Sequence, residues 1–250
     1  MKKRLDILVT ERGLAESREK AKTLIMAGRV YVDGQKADKP GDTFSEDAAV
    51  EVRGKGLPYV SRGGLKLEKA MREFGLQLQG RTCMDIGAST GGFTDCMLQN
   101  GAQRVYSVDV GYGQLAWSLR TDPRVVNLER TNARHLSQEQ VPEPIDFFSV
   151  DVSFISLTYV IPVIARIAAP GASVVLLVKP QFEVGKGNLG KGGIVEDRHL
   201  RDQALETVVD CANQHGLTVA GTAPSPIEGT HGNTEFLLFA RMDDIAAKAD

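Results

Sequence analysis

The chain has 250 residues, of which 42% are hydrophobic, and its formal net charge is −2 at pH 7. That length suits one large α/β domain with a small appendage, and the nearly neutral charge excludes a wholly basic nucleic-acid-binding protein. The three cysteines have no Cys-x-x-Cys spacing and the four histidines have no metal-binding spacing, so neither a disulfide framework nor a metal site is expected.

Two helices are the first predicted elements. Apolar residues from Leu5 onward predict a short helix that ends near Gly13. Ser17 is a typical N-cap for a second helix over Arg18–Ala27, and Gly28 is its stop signal. No apolar stretch follows the charges at the start of the chain, so we expect no secretory signal. The apolar residues 159–178 are interrupted by Pro162, Arg166 and Pro170, so a helix, a turn and a strand are expected there instead of a membrane segment. These features predict a cytoplasmic location.

A small antiparallel sheet is predicted to follow these helices. A strand begins at Val30, and the Asp-Gly pair at positions 33 and 34 is a strong signal for a hairpin turn. Ala49–Val52 is the candidate closing strand. These elements predict a small N-terminal α+β domain over residues 1–55, followed by an interdomain linker over residues 56–60.

Positive charge is concentrated in this N-terminal domain. Residues 1–62 carry 13 Lys and Arg against 10 Asp and Glu, which leaves 17 against 22 for the remainder. The basic residues near the two helices include Arg4, Arg18, Lys20, Lys22 and Arg29. A two-helix unit with a basic face can bind a phosphate backbone. A solvated helix face explains the charge equally well, since Glu16 and Glu19 dilute it.

The large predicted domain covers residues 61–250 and begins with an amphipathic helix. Its apolar stripe consists of Leu67, Ala70, Met71 and Phe74. Arg62, Lys66 and Lys69 share the opposite face, and their spacing alone gives them no role beyond solvation.

A glycine-containing turn is the centre of this domain. Gly87, Gly91 and Gly92 lie between a predicted strand, Thr82–Ile86, and a predicted helix, Phe93–Asn100. Glycine lets the backbone approach a ligand and adopt positive φ, so such a turn forms a floor for a nucleotide. The spacing Gly-x-x-x-Gly-Gly differs from the Gly-x-Gly-x-x-Gly of dinucleotide enzymes, which favours a nucleoside cofactor without phosphates.

Two acidic residues also favour such a cofactor. Asp109 lies in the next predicted strand, Arg104–Val110, roughly 20 residues beyond the turn, where an acid usually binds ribose hydroxyls. Asp85, at the end of the first strand, would repel phosphate but attract a cationic amino-acid group. The alternative is an ordinary strand-to-helix turn with incidental glycines.

Alternating strands and helices predict a mainly parallel sheet with right-handed crossovers. The predicted strands are Thr82–Ile86, Arg104–Val110, Val125–Glu129, Ile145–Val150, Ser173–Val178, Thr218–Gly221 and Glu235–Arg241. No helix separates the last two, so we expect an edge hairpin with one antiparallel strand. The predicted fold class is α/β, a Rossmann-like seven-stranded sheet of the class I methyltransferase type with a small N-terminal α+β domain.

Polar residues follow several predicted strands at the edge where ligands bind in such sheets. Asn132 follows the third strand, Asp151 the fourth and Lys179 the fifth, while Glu235 opens the last. A single Lys or Asp after a strand is more often a loop residue. Finding both after adjacent core strands of a nucleotide-binding sheet favours a functional role.

Residues 4–50 resemble the S4-like RNA-binding module shared by a ribosomal small-subunit protein, several pseudouridine synthases and some RNA methyltransferases. The resemblance rests on Lys3–Asp6, Ser17–Ala21 and Ala27–Gly34, in which helix stop, strand and turn fall in order. It implies that the N-terminal domain binds RNA.

Five further motifs resemble the TlyA family of ribosomal RNA 2′-O-methyltransferases, also known as hemolysin A, whose catalytic domain is FtsJ-like. They are Ser61–Leu67, Asp85–Thr94, Asp151–Leu157, Lys179–Glu183 and Gly232–Phe236. The resemblance implies S-adenosylmethionine as cofactor and cytidine in ribosomal RNA, within ribosomal subunits, as substrate. It also implies a catalytic Lys-Asp-Lys-Glu tetrad, which falls on Lys66, Asp151, Lys179 and Glu235.

Two further groups of site residues are predicted besides the tetrad. Those predicted to hold the cofactor are Asp85, Gly87, Ser89, Gly91, Gly92, Phe93, Asp109, Asn132 and Asp151. Those predicted to contact RNA are Arg4, Arg18, Lys20, Lys22, Arg29 and Arg62. Lys179 is the best candidate to orient or deprotonate the ribose hydroxyl, and the sequence does not separate these two roles. It also leaves the target nucleotide, the ribosomal subunit and the oligomeric state open.

Three other functions compete with this interpretation. A dehydrogenase is disfavoured by the glycine spacing and the lysine-rich site. A pseudouridine synthase would share the N-terminal module, but it would leave the glycine turn unexplained. An RNA-binding protein or a hemolysin without methyltransferase activity is the remaining alternative, although no amphipathic or spanning segment supports lysis.

Overall fold

The computed structural model describes residues 2–53, 57–137, 139–229 and 232–244. The chain divides into two compact units, Met1–Pro58 and Tyr59–Asp250, which we term the small unit and the large unit. Residues 54–56, which include the first residue of the predicted linker 56–60, lie outside the described residues.

The small unit contains two helices and two short antiparallel sheets. Its elements are β1 (Lys2–Arg4), α1 (Leu5–Glu11), α2 (Arg18–Met26), β2 (Val30–Val32), β3 (Gln35–Ala37), β4 (Thr43–Ser45) and β5 (Val50–Val52). β1 pairs with β4, and β2 pairs with both β3 and β5. The helices and the three-stranded sheet share one core, which includes Leu5, Val9, Ile25 and Val30.

Local sequence signals explain most of this unit. Ser17 caps α2, as predicted, by accepting a hydrogen bond from the Lys20 N–H at 3.2 Å. The predicted Asp-Gly turn joins β2 to β3, with φ of 49° at Asp33 and 78° at Gly34, as a tight hairpin requires. The sequence does not predict β1 and β4, since neither Lys-Lys-Arg nor Thr-Phe-Ser has the alternating valines that mark β2 and β5.

The large unit is a seven-stranded sheet with helices on both faces. Its helices are α3 (Gly63–Phe74), α4 (Gly92–Gln99), α5 (Trp117–Arg120), α6 (Ile161–Ile167), α7 (Pro180–Glu183) and α8 (Arg198–Gln214). Its strands are β6 (Thr82–Ile86), β7 (Arg104–Val108), β8 (Val125–Leu128), β9 (Ile145–Val150), β10 (Ala168–Val178), β11 (Leu217–Pro224) and β12 (Phe236–Met242).

The strand order is β11-β12-β10-β9-β6-β7-β8. The five strands from β10 to β8 are parallel, whereas β12 runs antiparallel to both β10 and β11. The predicted fold class and the predicted terminal hairpin are thus confirmed. Within that hairpin only β11 occupies the edge, because β12 inserts between β11 and β10.

The core lies on both faces of the sheet because successive strand residues point to opposite sides. Cys83 of β6 packs with Leu67 of α3 and Met97 of α4 on one face. Met84, the next residue, packs on the other face in the cluster that contains Val208 of α8. Strands buried on both faces read as continuous apolar runs, which is why they are recognisable in the sequence.

Two strands are longer than predicted. β11 spans Leu217–Pro224 instead of Thr218–Gly221. β10 begins at Ala168 instead of Ser173, and its register with β9 shifts between these two residues. Pro170 and Gly171 lie in the shifted stretch, and proline lacks the N–H that a regular ladder needs. None of the helices in the described ranges has the length and apolarity needed to cross a membrane.

The order of strands in the sheet places the candidate site at the carboxyl end of β6. This strand has β7 on one side and β9 on the other, so the loops after β6 and β9 leave the same edge of the sheet. A crevice at such a reversal of strand order is the usual ligand site of parallel α/β sheets.

Candidate active site

The turn after β6 forms the floor of the site because it lies very close to the loop after β9. Gly87 has a φ of 87°, and a Cβ atom there would lie 2.3 Å from the carbonyl oxygen of Asp151. The Gly87 N–H donates to the Val108 oxygen at 2.8 Å, and the Asp151 N–H donates to the Ile86 oxygen at 2.9 Å. Both backbone segments are therefore fixed, and only glycine fits between them.

Asp109 holds the outer part of this turn. Its carboxylate accepts hydrogen bonds from the Ser89 N–H and the Gly111 N–H, both at 2.7 Å. Ser89 has a positive φ of 49°, so this hydrogen bond stabilises a strained backbone position. Asp109 therefore shapes the turn in addition to lining a cavity beside it.

Asp85 lies beneath the turn, with no exposed surface. Its oxygens accept hydrogen bonds from the Thr94 N–H at 2.9 Å, the Thr94 hydroxyl at 2.7 Å and the Ser149 hydroxyl at 3.2 Å. The expectation that Asp85 directly attracts the amino-acid group of a cofactor is therefore corrected, because its carboxylate supports the start of α4 from inside. Burial raises the pKa of Asp85 to about 7.

We expect Asp85→Asn to remove a pH dependence of stability. The folded protein keeps the Asp85 proton up to about pH 7, whereas the unfolded chain releases it near pH 4. The free energy of unfolding of the wild type should therefore fall, relative to the variant, by about 1–4 kcal/mol as the pH rises through this window. The amide resembles the protonated acid, since it can accept from Thr94 and donate to Ser149.

Urea unfolding at pH 5 and pH 8 measures this effect. Asp122→Asn is a matched control, because the hydrogen bond from Arg124 lowers the pKa of Asp122. The stabilisation by ionised Asp122 is lost only as the pH falls below about 4. The difference in free energy of unfolding between Asp122→Asn and the wild type should therefore stay constant between pH 5 and 8. An equally constant difference for Asp85→Asn would show that Asp85 is already ionised at pH 5.

Two cavities of about 460 Å³ each lie at this edge of the sheet and share Gly87, Ser89 and Asp151 in their walls. The polar cavity is also lined by Arg62, Lys66, Phe93, Lys179, Glu228 and Glu235. The apolar cavity is also lined by Ile86, Val108, Asp109, Asn132, Val152 and Phe154. The site can therefore hold an amphiphilic ligand and a second reactant side by side.

Two lysine–carboxylate pairs lie in the wall of the polar cavity. The Lys179 ammonium lies 2.5 Å from Asp151 Oδ1, and the Lys66 ammonium lies 2.6 Å from Glu235 Oε2. Lys179 also donates to the Ser153 hydroxyl at 2.9 Å. Lys66 comes from α3, Asp151 and Lys179 follow β9 and β10, and Glu235 directly precedes β12. The fold brings these four side chains to one cavity. Both lysines are nearly buried, so each charge is held in a defined place.

The loop after β9 is fastened to α7 beyond this ion pair. The Phe154 and Phe182 rings lie 5.2 Å apart, and Glu183 accepts hydrogen bonds from the Ser156 hydroxyl at 2.5 Å and the Leu157 N–H at 2.9 Å. Burial raises the pKa of Glu183. These contacts fix Lys179, the residue before α7, relative to Asp151 at the start of the loop.

Seven of the nine residues predicted to hold a cofactor line one or both cavities. They are Gly87, Ser89, Gly92, Phe93, Asp109, Asn132 and Asp151. Asp85 is buried below, and Gly91 faces the core, where a Cβ atom would lie 2.2 Å from a Leu119 methyl group. Gly91 serves the turn through its φ of 95° at the N-cap of α4.

The residues predicted to contact RNA are divided between the units. Arg62 lines the polar cavity of the large unit. In the small unit, Lys20 lies 3.8 Å from Glu16, which precedes α2, and Lys22 lies 2.9 Å from Glu19 within α2. Arg29 donates to the backbone oxygen of Arg53 at 3.2 Å. Arg4 and Arg18 both bind the carboxylate of Asp6.

Several residues around the two cavities are absent from the predicted set. Ser153 lines the apolar cavity and lies two residues after Asp151 in the motif Asp151–Leu157, so its position was an available signal. The loop that contains Ile227, Glu228 and Gly229 also lines the polar cavity. It is distant in the sequence from the glycine turn and contains no recognisable motif, so the sequence gives no signal for it. A Cβ atom at Gly229 would lie 2.2 Å from Glu235 Oε1, so this loop directly covers the Lys66–Glu235 pair.

Comparison with known families gives two matches that together span most of the chain. Residues 59–242 match the FtsJ-like methyltransferases, and residues 3–50 match the S4 domain. The first match covers the sheet and both cavities, and the second covers the small unit.

Individual proteins are similar over nearly the whole chain. The 16S/23S rRNA (cytidine-2′-O)-methyltransferase TlyA of Mycobacterium tuberculosis is 48% identical over 239 residues, 95% of this chain and 89% of the relative. Hemolysin A of Brachyspira hyodysenteriae is 43% identical over 239 residues, 94% of this chain and 98% of the relative. A solved structure from Streptococcus thermophilus has a TM-score of 0.77 and 47% identity, and covers 97% of this chain and 89% of that chain.

Proposed function

The chain belongs to the TlyA family of FtsJ-like methyltransferases, and we propose that it transfers a methyl group from S-adenosylmethionine to a ribose 2′-hydroxyl of ribosomal RNA, at a cytidine. The main support for this proposal is the presence of two ion pairs, Lys66–Glu235 and Lys179–Asp151, in the wall of a cavity that adjoins the glycine turn. Ribosomal subunits as substrates place the reaction in the cytoplasm.

The residues present fit S-adenosylmethionine. Gly87 leaves a cradle that any Cβ atom would fill, and the apolar cavity suits an adenine ring. Asp109 can accept hydrogen bonds from ribose hydroxyls, and Asp151 complements positive charge. Asn132 adds a polar group to the same wall. S-adenosylmethionine, when bound, supplies an activated methyl group on a cationic sulfur.

The tetrad residues would position the ribose hydroxyl for attack. Lys179 is fixed by Asp151 and Ser153 at the wall that both cavities share, so it can orient the hydroxyl or accept its proton. Lys66, held by Glu235, provides a second cation in the polar cavity. Holding two reactants in such an arrangement can contribute about 7–11 kcal/mol to lowering a reaction barrier.

RNA recognition would involve both units. The S4 domain of the small unit supplies Arg4 and Arg18, and Arg62 adds a positive charge to the polar cavity. Phosphate contacts of this kind give affinity that falls as salt rises, because each contact releases counterions. The target nucleotide must then be selected by the cavity itself.

We expect tritium from labelled S-adenosylmethionine to appear in ribosomal RNA of isolated, unmodified ribosomal subunits. Alkaline hydrolysis cleaves RNA through attack by the 2′-hydroxyl, so a 2′-O-methylated nucleotide survives as part of a dinucleotide. The label should therefore be found in alkali-resistant dinucleotides with cytidine as the methylated nucleoside. Mononucleotide label would indicate base methylation and would contradict the proposal.

Calorimetric titration separates this activity from a dehydrogenase. S-adenosylmethionine should bind, and NAD should not, because the glycine spacing and the acid at Asp151 disfavour a pyrophosphate. Tight NAD binding without S-adenosylmethionine binding would reverse the assignment.

A further inference from the structure

A buried carboxylate joins two arginines in the small unit. Asp6 has no exposed surface, and its Oδ1 accepts hydrogen bonds from Arg4 Nε at 3.0 Å and the Ile7 N–H at 3.1 Å. Its Oδ2 accepts from Arg4 Nη2 at 3.2 Å and Arg18 Nη2 at 2.9 Å. One side chain therefore determines where two guanidinium groups lie.

The backbone positions of the two arginines are fixed as well. Arg4 ends β1, where it pairs with Thr43 of β4, and it precedes α1. Arg18 is the first residue of α2, directly after the capping residue Ser17. The side chains remain 47% and 52% exposed, and their other N–H groups make no hydrogen bonds to the residues that the structure describes. Each arginine therefore presents free donors at the surface.

This arrangement would be unfavourable without Asp6. The two guanidiniums repel each other, and both lie at helix N-termini, where the helix dipole disfavours positive charge. Hydrogen bonds from Arg4 lower the pKa of Asp6 to about 2, so the carboxylate is ionised throughout the physiological range. Its negative charge offsets both effects and holds the two cations close together.

We propose that Asp6 is a positioning residue for RNA binding, which holds Arg4 and Arg18 together as one preorganised site for backbone phosphate. This proposal rests on the proposed function, in which ribosomal RNA is the substrate. Guanidinium N–H groups match phosphate oxygens in geometry and charge. Fixing two long side chains in advance removes an ordering cost of about 0.5–1.5 kcal/mol for each, which corresponds to roughly 5- to 150-fold in affinity for the pair.

The Asp6→Asn variant distinguishes positioning of the two arginines by Asp6 from an effect of net charge on RNA affinity. The substitution removes one negative charge beside the proposed RNA site, so charge alone predicts tighter RNA binding. Positioning predicts the opposite, because an amide accepts hydrogen bonds on one side only and turns an N–H2 group toward an arginine. We expect filter binding to a ribosomal RNA transcript to weaken by roughly five- to thirty-fold. Glu16→Gln, which removes an exposed acid on the same unit, should leave RNA binding unchanged or slightly tighter.

A second set of variants excludes a merely structural effect. Arg4→Lys keeps the charge but lacks the planar fork with which Arg4 Nε and Nη2 bind both oxygens of Asp6. RNA binding should therefore fall although the net charge is unchanged. In an Arg4→Ala/Arg18→Ala background, Asp6→Asn should have no further effect on RNA affinity. An unchanged five- to thirty-fold loss in that background would show that Asp6 acts through the fold of the unit, and would overturn the proposal.

Two controls separate this proposal from the proposed function. S-adenosylmethionine binding by the full-length variants should equal that of the wild type, which shows that the large unit is intact. If the wild type itself does not bind the transcript, the proposed function fails. If the wild type binds and Asp6→Asn binds equally well or more tightly, positioning by Asp6 is wrong while the proposed function stands.

Discussion

Gly87→Ala is expected to weaken S-adenosylmethionine binding by about 100-fold or more. The φ of 87° is unfavourable for alanine, and the new methyl group would lie 2.3 Å from the Asp151 carbonyl oxygen. Strain and overpacking cost about 1–3 kcal/mol each, and 1.4 kcal/mol is tenfold in affinity. The Asp151 backbone cannot rotate away like a side chain, since its N–H is bound to Ile86.

Relief of this clash would require the turn or the loop after β9 to move. Either movement changes the wall that both cavities share, so cofactor binding and the Lys179–Asp151 ion pair should be disturbed together. Isothermal titration calorimetry measures the affinity, and single-turnover methylation measures the effect on the reaction.

Gly75→Ala is the matched control for backbone strain. Gly75 also has a left-handed φ, 63°, but a Cβ atom there meets nothing within 4 Å. We expect this variant to lose about 1 kcal/mol of stability and to bind S-adenosylmethionine as the wild type does. Normal binding by Gly87→Ala would mean that the glycine turn is not the floor of the cofactor site.

The sequence predicts the sheet well because its signals are local or strongly periodic. Apolar runs identify the core strands, and the absence of a helix before the last strand predicts the hairpin that β11 and β12 form. The motifs around Asp151 and Lys179 lie at strand ends, where topology alone brings them together. Glu235 lies near them because it directly precedes β12, whose first residue, Phe236, pairs with Val178 at the end of β10.

Other features of the two units depend on three-dimensional contacts that the sequence pattern does not reveal. Asp85 has the same position in the sequence whether its carboxylate faces a ligand or the interior, and only the bonds to Thr94 and Ser149 decide between these. Asp6 and Arg18 are likewise joined by packing of α1 on α2 and not by spacing. Position 229 requires glycine because a larger side chain would collide with Glu235 beneath it, and this contact is visible only in the structure.

Lys179→Ala should reduce the single-turnover rate of methylation by roughly 10²–10⁴, the usual scale of positioned acid–base assistance. Lys179 is nearly buried and bound to Asp151 and Ser153 at the edge of the polar cavity, so its loss removes a fixed cation from the reaction site. The affinity for S-adenosylmethionine should stay within a few-fold of the wild type, because the turn and Asp109 remain in place.

Lys69→Ala is the control for removing a lysine from this domain. Lys69 lies on α3, as Lys66 does, but it donates to the Pro224 backbone oxygen and does not line the polar cavity. Its substitution should leave the single-turnover rate unchanged. A comparable loss in Lys69→Ala would mean that the rate responds to the general charge of the surface.

Lys179→Arg tests whether the lysine accepts the hydroxyl proton or only orients the hydroxyl. Arginine keeps the positive charge and can still pair with Asp151, but it is not deprotonated in proteins. A rate as low as that of Lys179→Ala would support proton acceptance by Lys179. If the arginine variant keeps most of the single-turnover rate, electrostatic orientation is sufficient and general-base catalysis by this residue is wrong. If both variants react like the wild type, Lys179 takes no part in the reaction, and the tetrad must be reassigned at this position.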